Sequence, residues 1–320
     1  MKTLFFTPFA ATFVAVTCLL SSTAIAQSRG NYTSPIADYQ KFVDEKVLDW
    51  KAANDKVAEI GGWRAYAKEA QANAELASAT PATASKADIL SAEKIAKAPV
   101  PVRTAWLQAV AKQEQLMYAK QMSASAQASS ELARRMRSVG NFTRLQQTHQ
   151  HAMYAEAATL LLTSTQEAAE AREALIRTMG LNDAKANALA LPSRLPELPT
   201  SPIAEAALKR VVRMSDTQMF AQDASSELRS NYASYRNAYD LAKHYRDEVL
   251  PLRKIIAEET QLRYNGMFIG VFELLAENRE QTKMVMASIA ATQAFWQADA
   301  GFQDILQTQL NAASEYPSVE

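Results

Sequence analysis

The sequence predicts an all-α chain of long antiparallel coiled-coil helical hairpins in two tandem repeats, with little or no β structure. Three observations carry that reading. The 320 residues include only 8 Gly and 11 Pro, well under the usual share of about 12%, so turns are few and elements long. Apolar residues recur at spacings of three, four and seven over stretches of nearly 40 residues, the period of a helix with one buried stripe. Glycine-bearing turns interrupt the helical pattern at corresponding places in two halves. Strand sandwiches and barrels, which turn every 8–12 residues or so, are excluded. Apolar residues at 48% and aromatics at 8% exclude simple disorder. Lys+Arg 34 against Asp+Glu 34 argues against nucleic-acid binding through bulk charge.

Residues 1–26 read as a signal peptide. Lys2 precedes an apolar run from Leu4 to Leu20, and Ala24-Ile25-Ala26 offers small residues for cleavage before Gln27. An uncleaved anchor is disfavoured because the run is short for a span and carries Pro8. Ala15 and Thr17 fit poorly with lipidation of Cys18. Removing residues 1–26 from the 320 leaves 294, with Lys+Arg 33, Asp+Glu 34 and no cysteine. An exported chain of this kind has no disulfide and no thiolate chemistry.

Residues 27–101 read as an extended lead, two short helices (Asp49–Ile60 and Trp63–Ala79, parted by Gly61-Gly62) and a linker with a weak helix at Lys86–Lys97. The first hairpin repeat occupies 102–181. Its first rod, Val102–Val139, contains no Gly or Pro and carries the stripe Trp106, Val110, Met117, Ala124, Ala128, Leu132, Met136 and Val139. At 1.5 Å per residue it spans about 57 Å, too long for an ordinary globular core. Gly140 ends it. Thr143 and Gln146 then form a T-x-x-Q capping box for a second rod, Arg144–Met179, which Gly180 closes. So short a connection makes the two rods antiparallel.

Residues 182–202, with Pro192, Pro196, Pro199 and Pro202, form a linker. The second hairpin repeat, 203–312, opens with a rod from Ile203 to Tyr264. Pro251 inside it predicts a kink near Leu250. A tip at Asn265–Gly270 leads to a fourth rod from Val271 to about Leu310, and 313–320 is a tail. Setting Gly140 on Met267 puts Thr143 on Gly270, Gln146 on Glu273, Leu175 on Phe302 and Met179 on Leu306, an offset of 127 throughout. That agreement favours an internal duplication.

The sequence offers no enzyme chemistry. There is no Ser/His/Asp set, no paired carboxylates with a pocket and no Gly-rich phosphate loop, and no cofactor or metal site is expected. His149 and His151 point about 200° apart on one helix, and Met284 and Met286 share that defect. Tyr232, Tyr235, Tyr239 and Tyr245 read as a packing stripe rather than a ligand shelf. Glu131, Arg134, Arg135 and Arg137 read as a solvated helix face.

Particular stretches resemble the TolC family of outer-membrane efflux proteins, in the branch associated with heavy-metal and copper resistance. They are Tyr245–Leu252 (YRDEVLPL), Tyr264–Leu275 (YNGMFIGVFELL), Ala133–Met136, Val139–Leu145, Ala171–Leu175, Asp49–Asn54 and Ile60–Tyr66. The resemblance covers most of the chain after residue 26. It implies a homotrimeric tunnel in the outer membrane or periplasm, joined through a periplasmic adaptor (membrane fusion) protein to an inner-membrane pump. Carried over by motif, the adaptor-binding tips are Val139, Gly140, Asn141, Phe142 and Thr143, with Met267, Phe268, Ile269 and Gly270. Turn chemistry leaves two roles open for Phe142 and Phe268: partner contact, or folding back over the hairpin end.

The chain departs from the family where membrane-spanning strands belong. Neither 80–101 nor Phe220–Tyr232 shows the 9–11 or so alternating residues that such strands need. The alternative is therefore a barrel-less periplasmic coiled coil that binds partners without transporting anything itself.

Overall fold

In the computed structural model, residues 34–44, 46, 49, 90, 92–203 and 221–315 are described. Among them the chain is all-α: 77% is helical and there is no strand. The signal peptide, the short helices expected between Asp49 and Ala79, most of 80–91, the start of the third rod at 204–220 and the last five residues of the tail lie outside the described residues. Pro35–Glu320 is one contact unit, distinct from Met1–Ser34.

The order is α1 (Ala92–Ile95), α2 (Val100–Ser138), α3 (Arg144–Met179), α4 (Asp183–Asn187), α5 (Ala221–His244), a π-helical turn (Tyr245–Val249), α6 (Leu250–Asn265) and α7 (Val271–Glu315). Helices α2 and α3 are antiparallel. Lys112 pairs with Glu167 at 2.7 Å, and Ser129 donates to Gln150 at 2.8 Å, so one index climbs as the other falls. Helix α7 runs back along α2, taking Arg103 at Ala300 and setting Met286 against Met122 and Ala126. It also pairs with α5 through Tyr235 and Phe302, and with α6 through Arg253 and Glu277. Phe142 and Phe272 meet at a centroid distance of 4.9 Å, which brings both hairpin turns to one end.

The core lies towards the opposite end. Tyr235, Tyr239, Phe295 and Phe302 form one buried aromatic group, and Trp106, Val110 and Leu175 anchor another. Trp296 packs against both. Fully burying side chains of this size contributes about 1.5–3 kcal/mol each. The tyrosine stripe is indeed packing, but its hydroxyls also tie down the linker. Tyr235 accepts from the amide of Ile203, and Tyr239 donates to the carbonyls of Pro199 and Thr200. Trp296 and Arg172 hold Pro196, Ala186 and Leu189 in the same way. Proline-rich as it is, the linker is pinned along most of its length.

One expectation needs correction. The α2 stripe is not one straight seam. Trp106 and Val110 are buried, but Met117, Ala124 and Ala128 face outward, and Met122, Ala126, Ser129 and Ala133 are buried instead. Helix α3 packs on α2 at both ends, but near its start α2 also meets linker residues Leu189, Leu191 and Leu195, whereas nearer the tip it meets residues around Tyr39. The buried face rotates because its neighbours change. Where Pro251 predicts a kink near Leu250, the chain makes a π turn. Proline has no N–H for the usual bond, and the turn just before it is wound one residue wider, with the amide of Leu250 bonding the carbonyl of Tyr245.

Candidate functional site at the helical tips

The two tips are built alike. In the first, the amide of Gly140 donates to Arg137 and that of Asn141 to Met136, at 3.0 and 2.9 Å. In the second, the amide of Met267 donates to Tyr264 and that of Phe268 to Arg263, both at 2.9 Å. These paired bonds satisfy the last carbonyls of each helix and require a left-handed residue just past its end. Gly140 fills that place at φ 83°, Met267 at φ 62°. Glycine adopts such angles freely, whereas a residue with a Cβ pays roughly 1–2 kcal/mol. Met267 is thus a strained residue that is 92% exposed. Replacing it by glycine is expected to raise stability by about 1 kcal/mol, measured by chemical denaturation.

Thr143 performs the predicted capping. Its hydroxyl accepts from the amide of Gln146 at 3.2 Å, while its own amide donates to the Gln146 side chain at 2.9 Å. Gly270, the counterpart in the second tip, has no side chain to cap with; its carbonyl takes the amides of Glu273 and Leu274. Val139 and Ile269 are half-buried, and Asn141 is exposed.

The two phenylalanines are placed differently. Phe142 folds back, half-buried, onto Phe272. Phe268 stays 80% exposed. Its ring lies over Gly266, where an added Cβ would sit only 2.8 Å from it. A side chain at 266 would push the ring off that perch, so glycine fixes how Phe268 is presented.

The sequence reading missed three contributors. Arg137 reaches into the first tip and donates to the carbonyl of Phe142 at 3.3 Å, so it serves the turn as well as the helix face. Phe272 is the platform for Phe142. The third is a face of α6: none of its residues is buried, and Leu252, Ile255, Ile256 and Leu262 stand out in solvent. Their spacing of three, one and six puts them on a single stripe leading to Met267 and Phe268. The signal was present in the sequence, but an apolar helical stripe is ordinarily assigned to the core.

Charge at this end is mostly paired. Glu131 binds Arg134 and Arg135 at 2.8 Å each, and the Arg134 hydrogen bond, against a smaller opposing effect of burial, holds its carboxyl below the usual range. Arg144 meets Asp44 at 3.2 Å. Arg279, buried to 7% exposure, has no carboxylate in contact among the described residues: one terminal nitrogen donates to the Met153 sulfur and the other has no partner there. Burial lowers its pKa.

Among the described residues no three His, Cys, Asp or Glu side chains gather as metal ligands. No described helix is long and apolar enough to cross a membrane. Comparison with models of known protein families, with curated proteins and with solved structures finds no match.

Proposed function

We propose that this chain is a TolC-like helical tunnel subunit that docks a periplasmic adaptor protein of a metal efflux pump through its paired tips. The observation that carries the reading is the exposed Met267–Phe268 pair at the end of the bundle. A strained backbone that holds two large apolar side chains in water is a costly arrangement for folding alone, and such strain gathers at functional sites. Alike tips at an offset of 127 are what the resemblance implies for two repeats meeting one partner. The uncovered α6 stripe suits a lateral contact with further copies in a trimer.

The second reading is a rod that binds a partner without forming a pore. It is favoured by 92–101, where the resemblance implies part of a barrel hairpin and the chain instead forms α1 and enters α2. Fractionating cells that express the full chain separates the two. The tunnel reading expects a detergent-extractable oligomer in the outer membrane, whereas recovery wholly as a soluble monomer would leave only the rod.

A further inference from the structure

Ahead of the helices, residues 35–44 lie against the first hairpin, and their contacts centre on one histidine. After a turn closed by the Tyr39 amide on Ile36, the segment extends towards the first tip. Tyr39 stacks on Tyr154 at 4.7 Å and sets its hydroxyl 3.3 Å from Nε2 of His151. Phe42 lies 5.4 Å from the imidazole, and Tyr154 meets it edge-on at 5.9 Å. From α2, the Ser130 hydroxyl stands 3.1 Å from Nδ1. Further along, Gln147 donates to the carbonyl of Val43 at 2.9 Å, and Asp44 ends the row on Arg144, one residue past the tip.

We propose that residues 35–44 are a strap that docks while His151 is neutral and releases when the imidazole takes up a proton, baring the aromatic face of α3 and freeing Arg144 beside the first tip. Each ring nitrogen already has a hydroxyl partner, so the neutral ring is satisfied in either tautomer. Three rings surround it, and none offers a countercharge. The charged groups around it do not favour a cation. Lys41 of the strap and Arg134 of α2 line the same small cavity, and its carboxylate, Glu131, is held by Arg134 and Arg135. Asp44 is engaged by Arg144, and Asp38 acts on the Tyr154 phenol. From α7, Met286 packs on the cluster of Tyr39 and Tyr154, and the charged Arg279 donates to the sulfur of Met153, a further cation on this side of α3. Burial accordingly lowers the His151 pKa below its ordinary 6.5. A depressed histidine pKa means that docking is complete above the free value and is lost as pH falls through the lower, docked one.

Hydrogen exchange on the full chain tests this, read on peptides covering 39–44 and corrected for the intrinsic effect of pH. Protection is expected to fall about tenfold or more between about pH 7.5 and about pH 5. His151→Gln should hold it at both, and His149→Gln should behave as the parent. Unchanged protection in the parent, or an equal fall in His151→Gln, overturns the proposal. Should His151→Gln undock the strap at both pH values, the His151 ring resonance in the parent decides. A release midpoint that coincides with its titration supports the switch, and one displaced by about a pH unit or more overturns it.

Discussion

Phe295→Ala is expected to destabilise the protein by about 3–5 kcal/mol, the range for removing a wholly buried aromatic ring. Phe295 is 0% exposed and touches three other rings: Tyr235 and Tyr239 at 5.6 Å and Trp296 at 5.0 Å. Losing it opens a void where α5 and α7 meet, among side chains that also hold the linker. Tyr239 bonds the carbonyls of Pro199 and Thr200, and Trp296 that of Pro196. Collapse of the rings into the void would pull those hydroxyl and indole groups from their partners. The loss should therefore sit at the upper end of the range, because neighbours with fixed hydrogen bonds relax less. Urea titration followed by far-ultraviolet circular dichroism measures it. A loss under about 1 kcal/mol would show that this ring group is not the core of the second hairpin.

The second large effect concerns binding. Met267→Gly combined with Phe268→Ala is expected to weaken association with the adaptor by about 30-fold or more, the cost of losing a buried interface anchor of 2 kcal/mol or above. The same variant should be at least as stable as the parent, since Met267→Gly relieves a positive φ. Binding and stability then move in opposite directions, which no general unfolding effect can mimic. Phe142→Ala makes the contrast. Its ring is spent on Phe272, so its loss should lower stability more than affinity.

Much of the architecture was legible because local chemistry decides it. The sequence places the second rod at Arg144–Met179, and the structure gives the same bounds, because a capping box opens it and a left-handed Gly180 closes it. Both signals act within four residues and need no partner. The identity of the buried faces was less legible. Met117 and Ala124 satisfy the helical period but are exposed, since burial depends on which element lies opposite, and the linker and the strap take places on α2 and α3 that periodicity cannot see. The tip residues were named as a set, yet their division of labour was not. Phe142 and Phe268 are both aromatic turn residues, and only Phe272, three residues beyond Ile269, gives one of them a surface to fold onto. The helical spacing argues only against His149 and His151 sharing a metal and shows no surroundings for His151, because Tyr39 and Phe42, more than a hundred positions away, complete its cage.

We propose that the exposed tip is a docking surface for an adaptor. Photo-cross-linking in intact cells tests it most directly, with a light-activated residue placed at Phe268 in one variant and at Leu241, an exposed position on α5 away from the tip, in another. A covalent product between position 268 and a periplasmic adaptor protein, absent from 241, is the predicted result. Equal labelling at both positions, or none from 268 in cells that contain the adaptor, would contradict it.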